Sequence, residues 1–222
     1  MPIRVLIADD EALTRETLRD YLEFDDELEI VGEASDGAVA VRQARALAPD
    51  VILMDMQMPV MDGVAATAEI MQVLPATRIL GLSTFTSDRY VVDLLRAGAA
   101  GYLVKDTDPH ALVDAVRRVA TGESILSPEV TRHVVRGLEE SVPAAVVPDP
   151  ELAGALSEKE LEVIRLLGRG MSNREMAAEL FVTESTIKAR FAKVTEKLGV
   201  RDRVQILLIA IERGLVEVGR RS

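Results

Sequence analysis

The chain has 222 residues, 48% hydrophobic and only 3% aromatic, which suits two globular domains with aliphatic cores and excludes disorder as the main state. It has no cysteine, so disulfides, thiol catalysis and thiolate zinc sites are excluded together, and two histidines, His110 and His133, are too few and too far apart for a histidine-rich metal centre. A net charge of -11 argues against a protein that coats nucleic acid, yet residues 1–150 carry 13 Lys/Arg against 26 Asp/Glu while residues 151–222 carry 13 against 11.

Short aliphatic runs alternate with helical patterns over the first 120 residues. Strands are expected over 3–8, 28–34, 51–54, 78–82 and 100–104, with helices over 11–24, 37–47, 63–73, 89–97 and 110–120. The strands are apolar on both faces, as in a parallel sheet covered by helices on both sides. Five strands and five helices make one α/β domain with a doubly wound five-stranded parallel sheet. Asp108 can cap the last helix, and Pro109 suits its first turn.

Residues 137–155 carry Pro143, Pro148 and Pro150 among small and acidic residues, a density that resists helix and sheet. This segment reads as a linker between domains, or as a surface loop inside one. Beyond it the pattern is all helical: 157–167, 173–180, 185–198 and 202–213. Ser157 and Glu160 are spaced as a capping box, Gly168 and Gly170 end the first of these helices, and 181–184 is a turn. The division is therefore a first domain over 1–122, a helix extension and proline-rich linker over 123–154, and a four-helix domain over 155–222. No N-terminal signal is visible and no apolar run approaches the ~20 residues of a membrane-spanning helix, so the cytoplasm is expected.

Asp9 and Asp10 follow the first strand, Asp55 the third, Ser83 the fourth and Lys105 the fifth. Ligands of doubly wound sheets collect outside the carboxyl ends of the strands. Three carboxylates converging there need a cation, and Mg²⁺ takes such hard oxygen ligands. With that inventory Asp55 is a nucleophile that attacks a phosphoryl group and becomes an acyl phosphate. Asp9, Asp10 and Asp55 hold the metal, Mg²⁺ or Mn²⁺; Lys105 adds a positive contact and Ser83 a hydrogen bond. A lone acid or lysine after a strand is ordinarily a cap or a solvated charge, so the inference rests on the joint pattern.

Residues 1–120 resemble the receiver domain of two-component response regulators, on the string Asp55-Met56-Gln57-Met58-Pro59-Val60-Met61-Asp62-Gly63 with Asp9-Asp10, Ser83 and Lys105. The resemblance implies that a sensor histidine kinase phosphorylates Asp55, that Pro59 and Gly63 shape the loop behind it, and that Ser83 and Tyr102 form a switch in which the aromatic ring turns inward. An aromatic on an edge strand can also simply pack against a helix. Two departures stand out: Asp106 follows the lysine where many receivers have proline, and Ser83 replaces the commoner threonine.

The helices over 173–180 and 185–198, joined by a short turn, have the spacing of a helix-turn-helix. Ile187, Phe191, Val194 and Leu198 form a buried stripe in the second helix, leaving Lys188, Ala189, Ala192 and Lys193 on another face. Small and basic residues together suit entry into a major groove. Lys188 is the first choice for base contact, and Ala189 and Ala192 for thymine methyls. Ser185 and Thr186 suit phosphate at the helix N-terminus. Arg190, Lys193 and Lys197 are assigned to phosphate, with Arg174, Arg201 and Arg203 reaching the backbone from elsewhere. For any one cation a solvated helix face is the ordinary alternative.

Residues 156–218 resemble the DNA-binding domain of LuxR and NarL/FixJ regulators, on Leu156-Ser157-Glu158-Lys159-Glu160, Gly170-Met171-Ser172-Asn173-Arg174-Glu175-Met176-Ala177, Thr186-Ile187-Lys188 and Lys197-Leu198-Gly199-Val200. Arg190 stands where the family usually has histidine, so base preferences do not transfer. The resemblance implies a transcription regulator that binds inverted or direct repeats of double-stranded DNA as a dimer formed on phosphorylation, with RNA polymerase a further candidate partner and no membrane. The last helix is the expected dimer contact, through Val204, Leu207, Leu208 and Ile211, because it carries more apolar surface than one small helix needs; the alternative is that one side closes the core and the other packs on the receiver. Competing readings are a DNA-binding regulator indifferent to phosphate, a magnesium-dependent small-molecule phosphatase, and an adaptor that does not touch DNA. The phosphatase is disfavoured because Gln57 cannot serve as a general acid.

Overall fold

Aliphatic runs without polar alternation form five parallel strands in a computed structural model that describes residues 1–83, 88–123, 125 and 149–216. The strands are β1 (Ile3–Ala8), β2 (Leu28–Ala34), β3 (Val51–Asp55), β4 (Arg78–Ser83) and β5 (Gly101–Val104). Between and after them run α1 (Ala12–Glu23), α2 (Gly37–Leu47), α3 (Gly63–Val73), α4 (Asp88–Ala97) and α5 (Pro109–Ala120). The strand order is β2-β1-β3-β4-β5. The order reverses between β1 and β3, which leaves the crevice where such sheets bind ligands beside their carboxyl ends.

Every residue of β3 is buried, because helices cover both faces of the sheet. On one face Val5, Ile7, Leu53, Leu80 and Leu82 pack with Leu18 and Leu22 of α1 and Leu112, Val116 and Val119 of α5. Alternation sends Leu6, Ile52, Met54 and Ile79 to the other face, and these too are buried. Each such side chain stabilises the fold by about 1.5–3 kcal/mol. Register aligns Ala8 with Met54, Asp55 with Leu82 and Ser83 with Val104, so Asp9, Asp55, Ser83 and Lys105 share one rim. Asp55 and Ser83 are the last residues of their strands rather than the first beyond them. The Asp108 side chain caps α5 as expected, accepting from the His110 and Ala111 amides.

The chain divides into two compact units, Met1–Ile125 and Leu126–Ser222. Most of the predicted helix extension and linker, and His133, lie outside the described residues. The linker's last residues do not resist helix: α6 (Pro150–Ala155) follows Asp149, whose carboxylate accepts from the Leu152 amide. Proline is tolerated there because a first-turn N–H has no helical partner to lose.

The second unit continues with α7 (Glu158–Gly168), α8 (Asn173–Glu179), α9 (Glu184–Leu198) and α10 (Arg203–Glu212). The expected capping box closes α7, with the Ser157 amide donating to Glu160 Oε2 at 2.7 Å. A second box, Ser172 with Glu175, starts α8. The Thr183 hydroxyl caps α9, and Gly199, at φ 64, ends it in a conformation that favours glycine. Val163, Ile164, Leu167, Met176, Ile187 and Val194 form the interior with α10. On α10, Val204, Ile206, Leu207, Leu208, Ala210 and Ile211 are all buried, so its apolar excess is absorbed by the chain itself. The four residues expected at a dimer contact are 0–3% exposed. They are packing residues, not an open face; the more exposed side of α10 carries Arg203, Gln205, Ile209 and Glu212.

Candidate phosphoacceptor pocket and nucleic-acid interface

The turn after β1 and the end of β3 bring Asp9, Asp10 and Asp55 together, with carboxylate oxygens within 4.8 Å of one another. Asp9 and Asp55 are buried, while Asp10 is exposed. Lys105 reaches across from β5: its Nζ lies 2.7 Å from Asp9 Oδ2 and 3.0 Å from Asp55 Oδ1. Burial pushes the Asp55 carboxyl above its usual range; Lys105 opposes that rise and the neighbouring Asp9 adds to it. Burial also pulls on the Lys105 ammonium, but its bonds to Asp9 and Asp55 win and hold it above its ordinary value. The result is a partly neutralised set of hard oxygen donors with one open side, a fit for a divalent cation that prefers oxygen.

The loop behind the acceptor is tight. An added Cβ at Gly63 would sit 2.1 Å from the Asp55 carbonyl oxygen, and the Gly63 amide donates to Met56 O. Glycine is required there by close approach. Ser83 is buried at the rim, and Tyr102 is 1% exposed with its hydroxyl hydrogen-bonded to Ser83. Burial raises the Tyr102 phenol pKa more than the Ser83 bond lowers it. The two residues paired as a switch by resemblance are therefore in contact, with the ring turned inward. After Lys105, where Asp106 replaces the commoner proline, the chain makes a turn closed by the Thr107 amide on Val104 O.

One residue of this site was not singled out in the sequence. Arg15, on α1, donates from Nη1 to the Asp9 and Asp10 carbonyls at 2.8 and 3.3 Å. Its Nε donates to Glu33 of β2 at 3.1 Å. Helical spacing alone marks it only as a solvated cation.

In the second unit, Ser185, Lys188, Ala189, Ala192 and Lys193 are exposed on α9, and Arg174 is exposed on α8. Thr186 is half-buried, its hydroxyl 2.9 Å from that of Thr183. The stripe holds: Ile187, Phe191 and Val194 are buried and Leu198 is partly so. Four cations assigned to phosphate or backbone are instead engaged within the domain. Arg190 is 16% exposed with Nη1 3.5 Å from Glu162 of α7. Lys197 Nζ donates to Glu160 at 2.7 Å and to Ala155 O at 3.2 Å. Arg203 donates to Asn173 and Met171 O and lies over the Phe191 ring, 5.4 Å from its centroid. Arg201 is 3.4 Å from Asp202. Carboxylates and carbonyls of the same domain hold these long side chains.

Among the described residues, no helix is long and apolar enough to cross a membrane. Residues 5–117 match the response regulator receiver domain family, and residues 154–210 the luxR family of bacterial regulatory proteins. The chain is 39% identical over 215 residues to the transcriptional regulatory protein YxjL of Bacillus subtilis, covering 97% of this chain and 98% of that one. It is 36% identical over 217 residues to the response regulator protein VraR of Staphylococcus aureus, covering 98% and 100%. Among solved structures it resembles the response regulator ChrA of a heme-sensing two-component system, with a TM-score of 0.53, 34% identity and coverage of 96% and 98%. It also resembles RcsB, seen as two dimers bound to two parallel DNAs, with a TM-score of 0.56, 25% identity and coverage of 96% and 99%. The chain belongs to the NarL/LuxR family of response regulators, in which a receiver domain is joined to a LuxR-type helix-turn-helix domain.

Proposed function

We propose that the chain accepts a phosphoryl group on Asp55 from a sensor histidine kinase and thereby controls transcription through sequence-specific binding of double-stranded DNA. The observation that carries this reading is the Lys105 ammonium set between Asp9 and Asp55 at the switch in strand order. An Asp55 oxygen attacks the phosphorus of a phosphohistidine; the P–O bond forms as the P–N bond breaks, and the imidazole leaves with the electron pair. Asp9, Asp10 and Asp55 would hold Mg²⁺ or Mn²⁺, which would supply positive charge against the phosphoryl oxygens. Lys105 contacts the same oxygens, and Ser83 turns toward them. The Ser83–Tyr102 bond then changes, and with it the surface beside β5, a two-state element of the kind a switch needs.

On DNA, Lys188 contacts a base edge, with Ala189 and Ala192 against thymine methyls. Ser185, Thr186, Lys193 and Arg174 hold phosphate. Arg190 and Lys197 brace α9 against α7 instead. Few cations are left for phosphate, so a dimer on an inverted or direct repeat supplies affinity that one domain lacks at cellular salt. RNA polymerase is a candidate partner of the DNA-bound form. Consumption of one phosphoryl group per chain makes this a stoichiometric acceptor, not a turnover enzyme. Gln57, exposed two residues past the acceptor, has no acidic proton for a phosphatase leaving group.

One titration tests the reading. Selected random DNA is bound with and without a phosphoryl donor, by wild type and Asp55→Ala, while light scattering tracks mass. Donor-dependent tightening and mass doubling in wild type alone are expected. Equal affinity with and without donor would leave a regulator indifferent to phosphate.

A further inference from the structure

The acidic pair sits on a short turn between β1 and α1, and metal affinity depends on where that turn points its two carboxylates. Two bonds hold its start: the Asp9 amide donates to Ala34 O, and the Glu11 amide to the Asp9 carboxylate at Oδ1. The carbonyls of Asp9 and Asp10 face the other way, toward the first turns of α1. Both are taken up by one nitrogen of Arg15. That guanidinium is itself anchored, because its Nε donates to Glu33 of β2. It is only 17% exposed, so the arrangement is held rather than sampled among many surface rotamers. Glu33 also pairs with Arg19, one helical turn further along α1, and Arg19 makes no contact with the turn.

We propose that Arg15 is a positioning residue for the metal-binding turn: anchored on Glu33, it fixes the carbonyls of Asp9 and Asp10 and so the directions in which their carboxylates leave the backbone. This rests on the reading of Asp9, Asp10 and Asp55 as divalent-cation ligands. Its planar fork serves two carbonyls and a carboxylate at once, which lysine cannot do.

Charge and positioning make opposite predictions. If Arg15 acted only as a nearby cation, removing it would tighten cation binding, because one repelling charge is gone. If it positions the turn, removing it weakens binding by about tenfold, the low end for groups that orient metal ligands. The full chain in four forms (wild type, Arg15→Ala, Arg15→Lys and Arg19→Ala) is titrated with Mg²⁺ by calorimetry. Exchange of the Glu11 amide is followed separately by NMR without metal. Arg15→Ala should weaken Mg²⁺ binding and speed Glu11 exchange; Arg15→Lys should fall between; Arg19→Ala, which cuts the same Glu33, should match wild type. If Arg15→Ala does not fold, Arg15→Lys carries the comparison. Unchanged or tighter Mg²⁺ binding in both Arg15 variants overturns the proposal. Should wild type itself bind no Mg²⁺ while Glu11 exchange still quickens in Arg15→Ala, the ligand reading fails and the clamp on the turn stands.

Discussion

Each half of the chain sets a buried carboxylate against a lysine, and the two pairs are built in opposite senses. Asp55 is 3.0 Å from Lys105, but that lysine is shared with Asp9 and the pocket is desolvated, so the Asp55 pKa moves up. Glu160 is 2.7 Å from Lys197, receives the Ser157 amide as well, and its pKa falls to about 2. Exposure does not separate them, since Asp55 is 4% and Glu160 5% exposed. What separates them is the balance of desolvation against bonds. At Asp55 burial outweighs the bonds from Lys105 and the like charge of Asp9 adds to it, so this carboxylate is ready to take a new partner. At Glu160 the Lys197 and Ser157 bonds outweigh burial and make it a strut.

The sharpest way to break that contrast is at the acceptor itself. Asp55→Asn removes the nucleophile but keeps the shape, so phosphoryl incorporation from a small-molecule donor should vanish while the chain stays folded. Phosphate-affinity electrophoresis with a parallel melting curve reads both. Incorporation that survives the change would place the reactive carboxylate elsewhere and dissolve the distinction.

Next in size is the support behind Asp55. Gly63→Ala drives a methyl into the Asp55 carbonyl oxygen at 2.1 Å, and backbone must yield. A loss of about 3 kcal/mol is expected. In a denaturant titration it should appear as a midpoint shift without a change in slope. A neutral result would show that the acceptor loop tolerates movement, against the picture of a preset nucleophile.

The two halves also differ in how legible they were. In the receiver, topology does the placing: once strands read as parallel, residues at their carboxyl ends must share a rim, so Asp9, Asp55, Ser83 and Lys105 followed from element boundaries. Asp108 and the Ser157–Glu160 box were legible because caps sit at fixed offsets. Arg190 and Lys197 were not, because a long side chain on a helix reaches whichever carboxylate the tertiary fold brings near, and Glu162 and Glu160 lie far away in sequence. Arg15 was illegible for the same reason at Glu33, and its other two partners are carbonyls, which carry no sequence signature. The apolar girth of α10 suggested a partner helix, but periodicity cannot say whether the cover comes from the same chain.

That distinction predicts different salt behaviour among lysines of one helix. Lys188→Ala should cost about 1–3 kcal/mol in DNA binding and relax base preference, while Lys193→Ala should weaken all sequences alike and lower the salt slope by about 1. Lys197→Ala should leave the slope alone, because its charge is already committed to Glu160. Binding isotherms at several salt concentrations separate the three. A slope change from Lys197→Ala would return that residue to the phosphate contacts and remove it from the strut.

The smallest effect is the most specific to the pair. The Lys197 bond, helped by the Ser157 amide, holds the Glu160 carboxyl at about 2 against an ordinary 4.5. A depressed carboxyl stabilises the fold fully above its unfolded pKa, and that contribution drains away as pH falls from about 4.5 toward 2. Lys197 is 40% exposed, so solvent screening limits the effect to about 1 kcal/mol, a few degrees in midpoint for a small domain. Asp55 has the opposite sign: its raised pKa makes ionisation costly, and acidification relieves that cost. Glu160→Gln should therefore flatten the acid limb of stability against pH, whereas Asp55→Asn should steepen it. Calorimetric melts of the two variants between pH 5 and 2, each subtracted from wild type, test this directly. Curves bending the same way would mean that both carboxylates are struts, and that the readiness assigned to Asp55 does not come from its surroundings.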